Sequence, residues 1–375
     1  MAIAQTQDML KKGQHYDLSD CLRDFQGSKA SDPRDKIFGL LTLSRSEKGR
    51  ATSGRTLQLK VDYGQTVQRV YHDAARNIIS KRQDLMICHG QPLALKSTQG
   101  MPSWVPDWSG RFENAPTESV LEHYRLRFCL KGRISFASSC LRTDAVMVDY
   151  VDFVTGVMSS EEPLPDIEKI ILRLSQPKEA ESAYDSYPDR SLLGATKALR
   201  SVTYVTGESS FEALWHTLIG NIANFEPAQP SFEQHFSAVI DMLLLRERGI
   251  YFTRTRLSRD IDIDPQIRQQ IYVDTVAQEL WQSAQYRDSK PYFSELVNTI
   301  SGRVFITTLA GYIGFASPGA MVGDRVALLG GGWTPFILRE HSSQYTMVGD
   351  SYIHGLMNGE YFNSRKLVMN RVRIC

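Results

Sequence analysis

Between Gln65 and Ser80 the apolar residues Val67, Val70, Tyr71, Ala74, Ala75, Ile78 and Ile79 recur at helical spacing, which predicts a helix with one buried face. An earlier helix is marked by Asp32-Pro33-Arg34-Asp35: Asp32 can cap it, Pro33 suits the first helical position, and Asp35 meets the positive end of the dipole. It would carry Ile37, Phe38, Leu40 and Leu41 and end before a loop over residues 44–54. The main helical block runs from Ser209 to Trp281. Ser209 and Glu212 form a capping box ahead of Phe211, Leu214, Trp215, Leu218, Ile219 and Ile222. Ser231 and Gln234 repeat the device ahead of Phe232, Phe236, Val239, Ile240, Leu243 and Leu244. Asp264-Pro265 opens a third helix with Val273, Val276, Ala277, Leu280 and Trp281.

Elsewhere the period changes. Leu126 to Val154 alternates loosely, as in Arg133-Ile134-Ser135-Phe136, and predicts strands. From Gly302 onward, glycines and other turn residues split the chain into six short strands: Arg303–Leu309, Tyr312–Ala316, Asp324–Leu329, Pro335–Arg339, Tyr345–Val348 and Ser351–Leu356. Such a series implies antiparallel hairpins curled into a small barrel or tight sheet. Gln91 to Thr117 is loop-rich, and Glu161 to Pro188 reads as a surface excursion with a short helix from Asp166 to Leu174. The expected fold class is α+β, with N-terminal and central helices packed on a C-terminal antiparallel, barrel-like β module. Its expected parts are a helical region over 1–118 with a Trp/Pro-rich loop, a mixed region over 119–300 holding the helical block, and the β module over 301–375.

Composition narrows the field. The chain has 375 residues with 43 Lys plus Arg against 42 Asp plus Glu, so no counterion-release drive favours a nucleic acid. No apolar run is long enough for a signal peptide or a membrane span, which predicts a cytoplasmic protein. The five cysteines, Cys21, Cys88, Cys129, Cys140 and Cys375, are scattered and odd in number and read as reduced thiols.

Most chemical motifs are absent: no phosphate-cradling loop, no dinucleotide fingerprint, no H-E-x-x-H and no G-x-S-x-G. Asp260, Asp262 and Asp264 lack the glycine and glutamate of a calcium loop, and read as a solvated turn. Cys88 and His89 adjoin, but neighbours on a strand point to opposite faces. Two segments stand out. In Pro102-Ser103-Trp104-Val105-Pro106-Asp107-Trp108-Ser109 the indoles either anchor the core or wall a pocket with Asp107 as its polar handle. In Val348 to Glu360 a strand would place Asp350, Tyr352 and His354 on one face, about 6.6 Å apart per two residues, too far for Asp350 to hold His354.

Ala30-Ser31-Asp32-Pro33-Arg34-Asp35-Lys36-Ile37-Phe38-Gly39-Leu40-Leu41, Val61-Asp62-Tyr63, Val70-Tyr71-His72-Asp73-Ala74-Ala75 and the segment from Pro102 to Ser109 carry a similarity to fungal heterokaryon-incompatibility (HET) proteins. It returns in Gly311-Tyr312-Ile313-Gly314, Gly323-Asp324-Arg325-Val326, Pro335-Phe336-Ile337-Leu338-Arg339 and Val348 to Glu360. In that family these motifs lie downstream of an N-terminal HET domain. The resemblance therefore implies the downstream region without that effector.

Two functions are compatible with these features. One is a cofactor-independent cyclase or isomerase of fungal secondary metabolism acting on an apolar small molecule. It would use His354 as general acid or base, Tyr352 as hydrogen-bond donor, and Asp107 and Glu360 as orienting carboxylates, with Trp104, Trp108, Tyr312 and Trp333 lining the substrate site. No cofactor or metal would be needed. The other is a non-enzymatic recognition or regulatory protein that binds a protein partner or a second copy of itself.

Overall fold

The computed structural model describes residues 17–25, 27–41, 43–44, 59–110, 132–159, 161–176, 191–224, 226–257, 284–357, 361 and 368–375. The expected helix after Asp264-Pro265 lies outside them, as do Asp260, Asp262, Cys129 and Glu360. The described helices are α1 (Leu18–Asp24), α2 (Asp35–Leu41), α3 (Val67–Arg82), α4 (Leu164–Leu174), α5 (Leu192–Ser201), α6 (Ser210–Leu218), α7 (Glu233–Leu257) and α8 (Ala284–Ile300). The strands are β1 (Ser135–Ala137), β2 (Cys140–Val157), β3 (Ile222–Ala223), β4 (Glu226–Pro227), β5 (Val304–Thr308), β6 (Ile313–Ala316), β7 (Arg325–Leu329), β8 (Phe336–His341), β9 (Gln344–Ile353) and β10 (Asn370–Ile374). Helices and antiparallel sheet together make an α+β fold. The chain divides into two compact units, residues 1–154 with 316–375, and residues 155–315. A division at 118 and 300 remains a proposal about sequence character.

In the first unit, α3 buries the face read from its spacing. Val70, Tyr71, Ala74, Ala75, Ile78 and Ile79 are all buried. Thr66 caps its start by accepting from the Arg69 amide at 3.3 Å, and left-handed Gln83 ends it at φ 56°. The helix after Pro33 begins only at Asp35, since the first i→i+4 bond runs from the Phe38 amide to the Arg34 carbonyl; ahead of it Arg34 binds the Asp32 carboxylate. It accepts from the Arg34 amide at 2.9 Å and from its Nη2 at 2.7 Å. Arg34 Nη1 also donates to the Gln65 carbonyl at 2.9 Å, which ties the entry of α2 to that of α3.

Strand partners for the C-terminal segment come from mid-chain. β2 pairs antiparallel with β1, β7 and β10; β7 pairs with β8 and β8 with β9. β10 also touches β9 in parallel, at Ile374 and Tyr345, so one contact departs from the antiparallel expectation. The inner face of this sheet shares a core with α1–α3 through Leu141, Ala145, Ala327, Leu329, Phe336 and Ile374. Two predicted strands are one. β9 runs unbroken through Gly349, where a register shift opposite Ile337 and Leu338 marks a bulge and not a turn. Gly349 has φ 156°, and a Cβ there would collide with the Ser317 side chain.

Contrary to the expectation of reduced thiols throughout, Cys140 and Cys375 form a disulfide. They are 235 residues apart, a separation no spacing rule detects, yet β10 beside β2 brings their Cα atoms to 4.4 Å. Cys21 and Cys88 are buried free thiols.

The second unit centres on α5, α6, α7 and α8. Ser191 caps α5 and Ser209 caps α6, the latter by accepting from the Glu212 amide at 3.1 Å. Ser231 is no cap. Pro230 opens a short 3-10 turn through Phe232, and α7 starts after it. Phe236 packs 5.2 Å from Phe211 and 5.0 Å from Tyr292, whose hydroxyl donates to the Trp215 carbonyl at 2.6 Å. Among the described residues no helix is long and apolar enough to cross a membrane.

Candidate functional site

The tryptophan loop is locked into the core of the first unit. Trp104 is buried, donates Nε1 to the Ser139 carbonyl at 2.9 Å and packs against His72 and Phe136. Trp108 stands edge-on to Tyr71 at 5.2 Å. Asp107 is fully buried, and both carboxylate oxygens are engaged. Oδ2 accepts from the amides of Ser97 and Thr98 at 2.8 Å each and from Ser97 Oγ at 3.0 Å. Oδ1 accepts from Thr98 Oγ1 and the Ser109 amide at 3.1 Å. Burial by itself pushes the carboxyl up, but these amide and hydroxyl donors outweigh it and hold the group below its usual range. Its role in this arrangement is to tie residues 97–98 to the loop.

Lys96, which drew no notice in the sequence, fastens the same loop from below. Its ammonium donates to the carbonyls of Ser103, Val105 (2.6 Å) and Pro102 (3.4 Å). Burial draws its pKa down to about 8. A lysine that follows Leu93-Ala94-Leu95 in a loop-rich stretch carries no periodic signal, so nothing local marks it. Cys88, 3.4 Å from the Trp104 carbonyl, ends a 3-10 turn and not a strand, and burial pushes its thiol up to about 12. Such a thiol is a poor nucleophile.

Tyr352 and His354 do meet. The Tyr352 hydroxyl lies 3.2 Å from His354 Nδ1, although His354 stands in the turn beyond β9 and not on the strand face expected for it. Tyr352 is buried and His354 half-buried. Asp350 serves elsewhere: its Oδ1 accepts from the Gly90 amide at 2.9 Å and from Ser317 Oγ at 3.3 Å. Trp333 is buried against Met86. Tyr312 belongs to the second unit, buried at the start of β6, with its amide donating to Thr308 Oγ1 at 3.1 Å.

An open depression of about 740 Å³ lies beside β1, β2 and β10, next to the C-terminal end of α3. Gln83, Arg133, Ile134, Ser135, Asp144, Met369 and Arg371 line it; neither His354 nor Asp107 does. Arg371 is committed there, donating to Asp144 Oδ1 at 3.1 Å, to Ser135 Oγ at 2.6 Å and to the Arg133 carbonyl. Among the described residues no three His, Cys, Asp or Glu side chains gather where they could hold a metal ion.

A further feature is an apolar turn. Met321 and Val322 are more than half exposed at the tip between Gly319 and Asp324. Beneath them Arg339 grips buried Asp324 and also donates to the Gly319 carbonyl at 2.8 Å, while the Met321 amide donates to Asp324 Oδ2 at 2.8 Å. The turn is thus held rigid with its apolar side chains outward.

Comparison with known proteins places these features. Residues 272–367, which contain β5 to β9, match the Het-6 beta-barrel domain family. The chain is 22% identical over 354 residues to the heterokaryon incompatibility protein 6, OR allele, of Neurospora crassa, covering 88% of this chain and 49% of that protein. It therefore spans about half the length of that curated relative. No solved structure matches.

Proposed function

We propose that this chain, which is similar to the Het-6 beta-barrel domain family and to a fungal heterokaryon incompatibility protein, acts as a recognition module that binds a protein partner through the braced turn at Met321 and Val322. One observation carries this reading: two adjacent large apolar side chains are held out in solvent by a buried ion pair at the root of the turn. Exposing such residues costs solvation, and bracing them removes the entropy that docking would otherwise have to freeze. The saturated Asp107 carboxylate supports the same side of the argument, since it has no lone pair directed at a substrate.

The second reading is the cofactor-independent cyclase or isomerase, and the Tyr352–His354 contact at 3.2 Å favours it. A half-buried imidazole oriented by a phenol is a reasonable acid–base pair. Proximity labelling in the source cells separates the two. If recognition is the function, Met321→Asp with Val322→Asp removes a defined set of labelled proteins while His354→Ala retains it. If catalysis is the function, His354→Ala abolishes a metabolite and the turn variant labels the same proteins as the parent.

A further inference from the structure

The outer face of β1, β2 and β10 concentrates positive charge. Ser135 of β1 and Arg373 of β10 both stand opposite Arg142 of β2, one on each side, and Arg371 stands opposite Asp144. Alternation puts Ser135, Arg142, Asp144, Arg371 and Arg373 on one face, because the intervening Leu141, Thr143, Val372 and Ile374 are buried on the other. Asp144 is the one carboxylate among them, and Arg371 neutralises it.

Three guanidiniums remain, those of Arg133, Arg142 and Arg373. None makes a side-chain hydrogen bond among the described residues, although Arg133 also feels the Asp144 carboxylate and helps to hold it ionised. Arg373 Nε is moreover shielded from water with no acceptor. Like charges directly opposite on neighbouring strands destabilise a sheet unless a counter-charge lies between them, and a shielded N–H without an acceptor adds to that cost. Arg133 is also presented in a fixed position: its amide donates to Asp144 Oδ2 at 3.0 Å and its carbonyl accepts from Arg371. A charged fork on a braced backbone, at the mouth of a depression of about 740 Å³, is suited to bidentate capture of an oxyanion.

We infer that this depression binds an oxyanion, phosphate or carboxylate, carried on a small organic molecule whose apolar body lies against Met369. Arg133 takes the anion in its fork, and Arg142 and Arg373 supply the remaining field. The site is independent of the partner-binding turn at Met321, so either can fail without the other.

Calorimetric titration of the full chain with inorganic phosphate, phenyl phosphate and benzoate tests it. Phenyl phosphate should bind more tightly than inorganic phosphate, and its rank against benzoate identifies which oxyanion is preferred. Arg133→Gln and Arg373→Gln should each weaken binding by roughly tenfold, while Arg69→Gln, at an exposed position on α3, leaves it unchanged. Should an arginine variant fail to fold, Met369→Glu at the exposed rim must also weaken binding by introducing a repelling charge. Absence of heat with all three probes, or unchanged affinity in the folded variants, overturns the assignment.

Discussion

Arg339 clasps Asp324 through two bonds, Nε to Oδ1 at 2.8 Å and Nη2 to Oδ2 at 2.9 Å, across the base of the turn that exposes Met321 and Val322. The pair links the proposed docking surface to the stability of β7 and β8, which leave and return beside it. Arg339→Met should therefore cost about 2–3 kcal/mol in urea unfolding, on the lower side for a broken buried pair because the guanidinium keeps some solvent. Asp324→Leu added to it should recover part of that loss. Full additivity of the two substitutions would show that the clasp contributes nothing as a pair.

The bulge at Gly349 makes a steric prediction. A methyl group there meets Ser317 Oγ and Cβ far inside contact distance. Gly349→Ala should lower the melting temperature clearly, by the equivalent of about 2 kcal/mol. Adding Ser317→Gly should restore most of it, although the Ser317 bond to Asp350 is lost as well. No rescue in the double variant would mean that the φ of 156° at Gly349, and not the clash, sets the requirement.

Asp107 should write itself into the acid side of the stability profile. Its folded carboxyl is depressed below the ordinary value of 3.8, so its contribution is present above about pH 4 and is lost as pH falls through the folded value. Asp107→Asn sets an amide NH₂ against N–H donors and should cost about 1–3 kcal/mol at neutral pH. The difference between parent and variant should shrink as the solution is acidified below pH 4. A constant difference down to pH 2 would place the effect in packing and not in charge.

The Cys140–Cys375 disulfide clips β10 against β2, and β10 supplies Arg371, Arg373 and the adjoining Met369. Peptide mapping without reductant should recover the linked pair. Cys140→Ser should lower stability by about 3–5 kcal/mol, as expected for closure of a long loop. It should also weaken oxyanion binding more than any single arginine substitution, because it loosens the strand as a whole. Equal melting temperatures with and without reductant would show that the strand pairing holds β10 unaided.

Much of the fold could be read locally. The buried face of α3, the cap at Ser209 and the strand rhythm after Gly302 each depend on residues within a turn or two of one another, where spacing reports directly on burial. The same is true of the indoles at Trp104 and Trp108, whose size fits them for the interior. The candidate site was less legible. Tyr352 and His354 could be named, and they touch, but their contact arises from the turn that ends β9 and not from a shared strand face.

What no local pattern could announce are the pairings that join distant segments. The order of residues along the chain settles which positions are apolar and which faces of a helix they share, because those follow from the spacing of neighbouring residues. It says nothing about β10 lying beside β2, so the disulfide, the opposed Arg142 and Arg373, and the depression around Arg133 all emerge only on folding. Their energies come from groups more than 200 residues apart, and burial and charge at such a place are decided by the neighbours that the folded chain brings there.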